Sequence, residues 1–513
     1  MLQLRVIFFA LLITMHAHSQ NAYLPPVFED SKRVEKIKEL FPKILQIYQG
    51  YAEEHHIPGF AFGIMVDDKL IYSGSGGYSD LSKKTPASPK SMFRIASMTK
   101  SFTAMSILKL RDEGKLRLDD PVDWYIPELK DQKLTHDAPS MTIRHLLTHS
   151  AGFPSDNPWG DRQLSMTHKE FVSLLKGISL ANTTDSAFEY SNLGYALLGM
   201  IIDKVSGMPY QDYIATHIWQ PLNMQQVAWD FAKVPAPELA QGYQWADGNW
   251  TQEPMLSDGV FGAMGGMITS LEAFSHYVAL YQNAWPPRDD VETGPIHRSS
   301  LREMQQAWRF NQFNKDYKFL NGEPCPMVEA YGYGLRWLCD CEKKTYIGHS
   351  GGLPGFGSNW FILPDYGIGV ILLTNVTYAQ AADINMQVLH TLVKEAKLQS
   401  RKLPVSQLLS ARQSALVKLL PDWKGVEASG LFADNFFLDS SIAARKKESE
   451  ALFKKVGKIG QINPFIAESE LRGYFIINGE QQDIKIHIAL SPTNPALIQE
   501  YQIEAVKHQT RKG

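Results

Sequence analysis

Three Ser-x-x-Lys pairs stand in this 513-residue chain: Ser97/Lys100, Ser106/Lys109 and Ser173/Lys176. On a helix that spacing sets a hydroxyl and an amine on one face, with Cβ atoms about 5 to 6 Å apart. The amine can then take the hydroxyl proton or lower the cost of losing it, which turns a serine into a nucleophile. Context separates the three. Ser97 follows Met92-Phe93-Arg94-Ile95-Ala96 at the start of a predicted helix running to Glu113, where unpaired backbone N–H groups and the helix dipole favour a developing oxyanion. The same place also suits a helix N-cap, so Ser97 by itself leaves both readings open. Ser106 and Lys109 lie further along that helix, and Ser173 has no comparable helix start; both pairs read as ordinary helix residues.

A phenol and an amide are paired in Tyr190-Ser191-Asn192 and again in Tyr281-Gln282-Asn283. The first follows Phe188-Glu189 and opens an apolar helix from Leu193 to Val205, a loop-to-helix junction from which side chains face a cleft; the second is a helix tail, where Tyr281 packs inward. His349-Ser350-Gly351-Gly352 begins the Gly-rich stretch HSGGLPGFGSNW beside a strand, where missing side chains let a ligand lie along the backbone. Other signals are set aside. His145 and His149 stand four apart, but Leu146 occupies the position where a zinc protease carries its glutamate, so no metal is expected there. Gly74-Ser75-Gly76-Gly77 lacks the Gly-Lys-Ser/Thr ending of a phosphate loop.

SMTK at 97 to 100, YSN at 190 to 192 and HSG at 349 to 351, in that order, resemble the three signatures of the class C beta-lactamase and penicillin-binding-protein-like serine hydrolases, the S12 peptidase type in its His-x-Gly form. MTIRHLLTHSAGF (141 to 153), YGYGLRW (331 to 337) and IPGFAFGIMV (57 to 66) resemble the usual surroundings of those signatures, so the likeness spans residues 30 to 395. An ordered set is far more specific than any member of it. The resemblance implies an α+β fold, an antiparallel sheet flanked by helices with a helical lobe, and an active site between sheet and lobe.

It also implies roles. Ser97 would be the acylated nucleophile, Lys100 the neighbour that keeps Tyr190 anionic or shuttles the proton, and Tyr190 the base toward Ser97 and then the acid toward the leaving group. A phenol of pKa about 10 needs such help, and a cation one hydrogen bond away supplies it. Asn192 would hold a substrate amide. The N–H groups of Ser97 and Gly352 would receive the oxyanion, each donor worth about 10² to 10³ in rate, and Gly351 would line the substrate site beside them. No metal or cofactor is implied. The departure lies at the third signature, where beta-lactamases of this kind usually carry Lys-Thr-Gly and this chain has His349, mostly neutral at pH 7. The His-x-Gly form resembles the family's D-aminopeptidases, peptidases and esterases. The expected substrate is therefore an amide or ester, cell-wall D-amino-acid peptides among them. A true beta-lactamase or DD-carboxypeptidase is the alternative, and a non-catalytic penicillin-binding-like sensor is the reading from another class.

These residues need elements to hold them. From Ser31 to His55 apolar residues recur at helical spacing with Pro42 as a kink; Phe60–Val66, the turn Asp67-Asp68 and Leu70–Gly77 read as a hairpin; and Met92 to about Asn283 is mostly helical. Strands return at Tyr346–Ile347, Asn359–Leu363 and Ile368–Thr374, split by Gly351-Gly352 and by Pro364-Asp365-Tyr366-Gly367, before a helix at 382 to 396. Strands at both ends predict one sheet built from both. After Arg401-Lys402-Leu403-Pro404, a charged helix (437 to 456) and three strand candidates form a small α+β domain at 405 to 513, of the NTF2-like or cystatin-like kind, next to a hydrolase domain at 20 to 400.

Composition narrows the partners. With 51 Lys and Arg against 54 Asp and Glu there is no summed field to hold a phosphate backbone, so nucleic acid is not expected and the partner is a small-molecule or peptide substrate. Three cysteines, Cys325, Cys339 and Cys341, allow at most one bridge. Arg5, an apolar run from Val6 to Met15 and Ala17-His18-Ser19 form a signal peptide cut after Ser19, too short in its apolar part to remain in a bilayer. The expected place is periplasmic or secreted.

Overall fold

The computed structural model describes residues 23–130 and 132–508, and the predicted signal peptide at 1–19 lies outside the described residues. Residues 30–400 form one compact unit; 401–508 with 23–29 form a second. The first is organised by nine strands: β1 (Gly59–Val66), β2 (Lys69–Asp80), β3 (Thr85–Pro86), β4 (Arg309–Asn314), β5 (Met327–Tyr331), β6 (Arg336–Cys339), β7 (Thr345–Leu353), β8 (Phe356–Leu363) and β9 (Ile368–Thr374). They make one antiparallel sheet in the order β3-β2-β1-β9-β8-β7-β6-β5-β4. β1 pairs with β9 from Phe60↔Thr374 to Val66↔Ile368, which joins the two ends of the unit in the middle of the sheet as the strand pattern predicted.

Side-chain alternation gives this sheet two apolar faces. Phe60, Phe62, Ile64 and Val66 share a core with α1 (Arg33–Glu39), α2 (Phe41–Glu54) and a late helix at Ala381–Glu395. Ala61 and Met65 face the other core, which contains α3 (Thr99–Asp112), α4 (Asn192–Ser206) and α5 (Leu271–Asn283). Fully burying a side chain such as Phe62 contributes about 1.5 to 3 kcal/mol, so each face repays the chain ordering it imposes. Asp67 and Asp68 both have positive φ, 47° and 63°, as a two-residue hairpin turn with the strands' own twist requires.

The structure departs from the sequence reading in several places. The opening helix is not kinked at Pro42 but interrupted at Leu40, and Pro42 sits in the first turn of α2, where its missing N–H is harmless. Gly351 and Gly352 do not split strands; β7 runs through both, because a strand packed tightly on both sides favours residues without side chains. β4, β5 and β6 escape the hydrophobic pattern, being short and, in RFNQFN, polar at an exposed edge. The helical lobe contains a small sheet of Met92–Arg94, Ile268–Ser270 and Val227–Ala228 at its foot. Cys325 and Cys341 form the one permitted disulfide, across the β5–β6 hairpin, and Cys339 is a free thiol.

The second unit has its own core, in which Ile484, Ile486, Ile488 and Leu490 of the strand Asp483–Leu490 are all buried beside Phe475, Ile477 and Ile498. Its five strands form a separate antiparallel sheet. The predicted helix at 437 to 456 is two helices, Phe436–Asp439 and Ile442–Val456, because the Ser441 hydroxyl accepts the N–H of Ala444 and caps the second. Among the described residues no helix is long and apolar enough to cross a membrane.

Candidate active site

Ser97 sits in a single 3-10 turn, Ala96–Met98, between the strand Met92–Arg94 and α3. The turn is fixed before any chemistry starts. Ile95 donates its N–H to Met267 at 3.0 Å, and its carbonyl accepts both Met98 N–H at 3.2 Å and the Ser358 hydroxyl of β8 at 2.9 Å. Ala96 takes a left-handed φ of 49°, unusual for a residue with a Cβ and held by these flanking bonds. One helical turn beyond Ser97, Lys100 brings Nζ to 2.9 Å from Ser97 Oγ, 2.7 Å from Asn192 Oδ1 and 3.0 Å from the Met264 carbonyl. The Lys100 side chain is fully buried. Burial pushes its pKa down to about 7, opposed by the carboxylates of Asp161 and Asp156.

Tyr190-Ser191-Asn192 closes the site from the lobe. Ser191 caps α4 by accepting the N–H of Gly194, and Asp156 binds the next free donors, the N–H groups of Asn192 at 2.6 Å and Leu193 at 2.8 Å. Lys100 Nζ lies 4.9 Å from the Tyr190 ring centroid. Burial raises the Tyr190 phenol above its ordinary pKa, opposed by a hydrogen bond to Ser97 and by the charge of Arg336. Asn192 is fully buried, and protein groups engage both ends of its amide: Lys100 at Oδ1, and Asn157 Oδ1 at 2.5 Å with Asp161 Oδ1 at 3.4 Å at Nδ2.

The opposite wall is β7. The imidazole of His349 is buried, with Nε2 2.8 Å from the Tyr331 hydroxyl and Nδ1 2.6 Å from the Ser350 carbonyl. A neutral ring donating from Nδ1 and accepting at Nε2 satisfies both contacts. Burial, with Arg336 and Lys100 nearby, holds its pKa well below the ordinary value. The third signature thus presents no cation. Gly351 is required by closeness: a Cβ there would lie 2.2 Å from the Ile95 carbonyl oxygen, 2.4 Å from Ser358 Oγ and 3.0 Å from Ala96 Cβ. At Gly352 a Cβ would meet the ring of Tyr378 at 2.8 Å, and the Tyr378 hydroxyl donates to Asp161 Oδ2 at 3.0 Å.

Ser97, Lys100, Tyr190, Asn192, His349, Gly351 and Gly352 therefore meet in one place. The two rejected Ser-x-x-Lys pairs are elsewhere engaged or outlying: the Ser106 hydroxyl returns to the Phe102 carbonyl, and Lys109 pairs with Glu113. Tyr281 is buried against Tyr277 and Met304. Sequence reasoning missed Asp156, Asp161, Tyr331, His149 and above all Arg336. Arg336 on β6 acts electrostatically on Lys100, Tyr190, His149 and His349, and its Nε is buried with no hydrogen-bond partner. Its signal was visible as a lone charge in YGYGLRW. Among the described residues no group of three or more His, Cys, Asp or Glu is placed to hold a metal ion.

The family model described as Beta-lactamase matches residues 44–392, a span that contains every one of these site residues. The chain belongs to the beta-lactamase family. Members of this beta-lactamase family are serine hydrolases, in accord with the three signatures. The chain is 29% identical over 330 residues to Protein flp of Staphylococcus aureus (strain MW2), covering 63% of this chain and 61% of flp, so the match spans less than two thirds of that relative. It is 28% identical over 351 residues to Penicillin-binding protein 4* of Bacillus subtilis (strain 168), covering 64% of this chain and 70% of that protein. In fold it is similar to the octameric penicillin-binding protein homologue from Pyrococcus abyssi, with a TM-score of 0.60 and 22% identity over 90% of this chain and 99% of that one. The penicillin binding protein from Bacillus halodurans gives a TM-score of 0.53 and 23% identity over 67% and 98%.

Proposed function

We propose that this chain is an exported serine hydrolase that cleaves an amide or ester bond through an acyl-enzyme on Ser97, with D-amino-acid peptides or esters as substrates. One observation carries the reading: a buried lysine, brought down to about 7, hydrogen-bonds the Ser97 hydroxyl at 2.9 Å. In a buried pair, neutral amine with neutral phenol is less costly than ammonium with phenolate. Lys100 is therefore the proton shuttle, and Tyr190 relays between Ser97 and the leaving group. Ser97 Oγ loses its proton to Lys100 as it bonds to the carbonyl carbon. The oxyanion forms against the N–H groups of Ser97 and Gly352, and the proton passes through the Tyr190 hydroxyl to the departing nitrogen or oxygen. Water then attacks the acyl-enzyme by the same route in reverse.

The neutral, doubly hydrogen-bonded His349 supports a peptidase or esterase over a beta-lactamase, because the third signature offers no charge to a carboxylate. Arg336 favours a second reading, a carboxypeptidase: it is partly exposed on β6 and its charge acts on Lys100, Tyr190 and His349, so its guanidinium would receive a terminal carboxylate instead. Export is supported by the signal-peptide pattern and by the Cys325–Cys341 bond, which persists in oxidising compartments; the exported product should begin at Gln20.

The test is intact mass and peptide mapping after exposure to a fluorophosphonate and, separately, a penicillin. A single adduct on Ser97, absent in Ser97→Ala, is the expected result; no adduct on folded protein moves the non-catalytic sensor forward. Turnover of a D-alanyl anilide, a short nitrophenyl ester and a chromogenic cephalosporin then separates the substrate classes.

A further inference from the structure

His149, set aside above as half of a spurious metal pair, borders the site and holds Tyr190 in three ways. Its carbonyl accepts the N–H of Glu189 at 2.8 Å, and its Nδ1 accepts the N–H of Ser191 at 3.1 Å, so the residues immediately before and after Tyr190 are both tied to this one residue. Its ring lies against the Tyr190 ring, centroids 4.3 Å apart, with Tyr331 at 4.5 Å and Tyr195 at 5.1 Å on other sides. His149 itself takes a left-handed φ of 56°.

We propose that His149 is a positioning residue, a clamp that fixes the Tyr190 hydroxyl against Ser97 by holding the tyrosine's backbone on both sides, with Nδ1 as the part a substitution can remove. The inference rests on the acyl-enzyme reading. An Nδ1 that accepts places the ring hydrogen on Nε2, which is buried with no hydrogen-bond partner. A histidine kept only to fill the core would not leave that atom unpaired, since an apolar ring of similar size would fill the space without it. Burial, reinforced by the neighbouring Lys100, His349 and Arg336, holds the ring neutral, which preserves Nδ1 as an acceptor.

Two substitutions divide the clamp into its parts. His149→Phe keeps a ring and loses the acceptor. His149→Asn loses the ring, places an oxygen where Nδ1 was and tolerates positive φ. The readout is the rate at which a fluorophosphonate modifies Ser97 in the full chain, with the site confirmed by peptide mass. His149→Phe should slow labelling at least about tenfold while His149→Asn stays within about threefold of the parent, and in a Tyr190→Phe background His149→Phe should add nothing further, as expected of groups acting as a unit. If His149→Phe fails to fold by circular dichroism, His149→Gln, whose acceptor lies one bond further out, replaces it with the same expectations. A His149→Phe rate equal to the parent's, an Asn variant as slow as the Phe variant, or full additivity with Tyr190→Phe overturns the clamp. An unlabelled parent overturns the acyl-enzyme reading and the clamp with it, whereas a labelled parent confines any failure to His149.

Discussion

The two walls of the site are finished to different degrees. On the lobe wall, Lys100, Tyr190 and Asn192 are bound mainly to one another and to the protein, and Lys100 alone has three oxygen partners. On the strand wall, His349 is equally satisfied, yet Gly352 of β7 and Arg336 of β6 are only partly buried. Groups that must act the same way on every substrate gain from being held in advance, because their ordering is complete before binding. Groups that recognise must keep some valence open. On the acyl-enzyme proposal the lobe wall carries the chemistry and the strand wall the recognition, and variants on the two should fail differently.

The largest effect belongs to the lobe. Lys100→Met keeps the length of the side chain and removes the shuttle, leaving Asn192 Oδ1 and the Met264 carbonyl buried without their donor. Labelling of Ser97 should fall by about 10³-fold, within the range for loss of a positioned acid-base group. In the parent the labelling rate should rise with pH through about 7, as buried Lys100 loses its proton, and level off above. Asp161 raises the pKa of Lys100, so Asp161→Asn should move that inflection to lower pH. A parent rate flat between pH 5 and 9 would remove Lys100 from the role of shuttle.

Two adjacent glycines then test the strand wall against itself. A methyl at Gly351 meets the backbone carbonyl that anchors the Ser97 turn, whereas one at Gly352 meets the side chain of Tyr378, which is no part of that turn. Gly351→Ala should slow labelling by about 10²-fold, comparable with loss of one oxyanion donor, and Gly352→Ala by less than about tenfold. Equal losses would mean that β7 is not fitted to the Ser97 turn as closely as the geometry states.

How much of this could be read from the chain depended on the range of the interaction. The β1–β2 hairpin and the late helix were legible because alternation and helical periodicity are local, and Ser97, Lys100 and Tyr190 because each sits at a helix start with its own signal. β4 to β6 were illegible: strands at or near a sheet edge are polar on the exposed side and short, so they carry little period. Asp156 lies in an irregular loop and Asp161 in the short 3-10 turn Gly160–Arg162, and both matter only because α4 and Lys100 come to meet them. His149 was read as a failed metal ligand because its helical neighbour His145 drew the comparison, while its real partners are 40 residues downstream. His145 itself caps a helix, its Nδ1 accepting the N–H of Thr142.

Arg336 offers the smallest effect on chemistry and the sharpest on recognition. It stands opposite Gly348, one residue before His349, and its field reaches Tyr190 and Lys100. If its role were to tune the reacting groups, Arg336→Gln would alter labelling by an uncharged fluorophosphonate, since the charge favours the Tyr190 phenolate. If its role is to receive an anion, that rate should stay within about threefold. The KM for a peptide ending in a free carboxylate should then rise about 10- to 10²-fold, the equivalent of one charge-assisted hydrogen bond of about 1.5 to 3 kcal/mol, and that for the corresponding amide should not change. A loss shared equally by carboxylate, amide and fluorophosphonate would return Arg336 to the lobe wall's side of the comparison. A loss confined to the carboxylate would make this arginine, and not His349, the residue that selects the substrate.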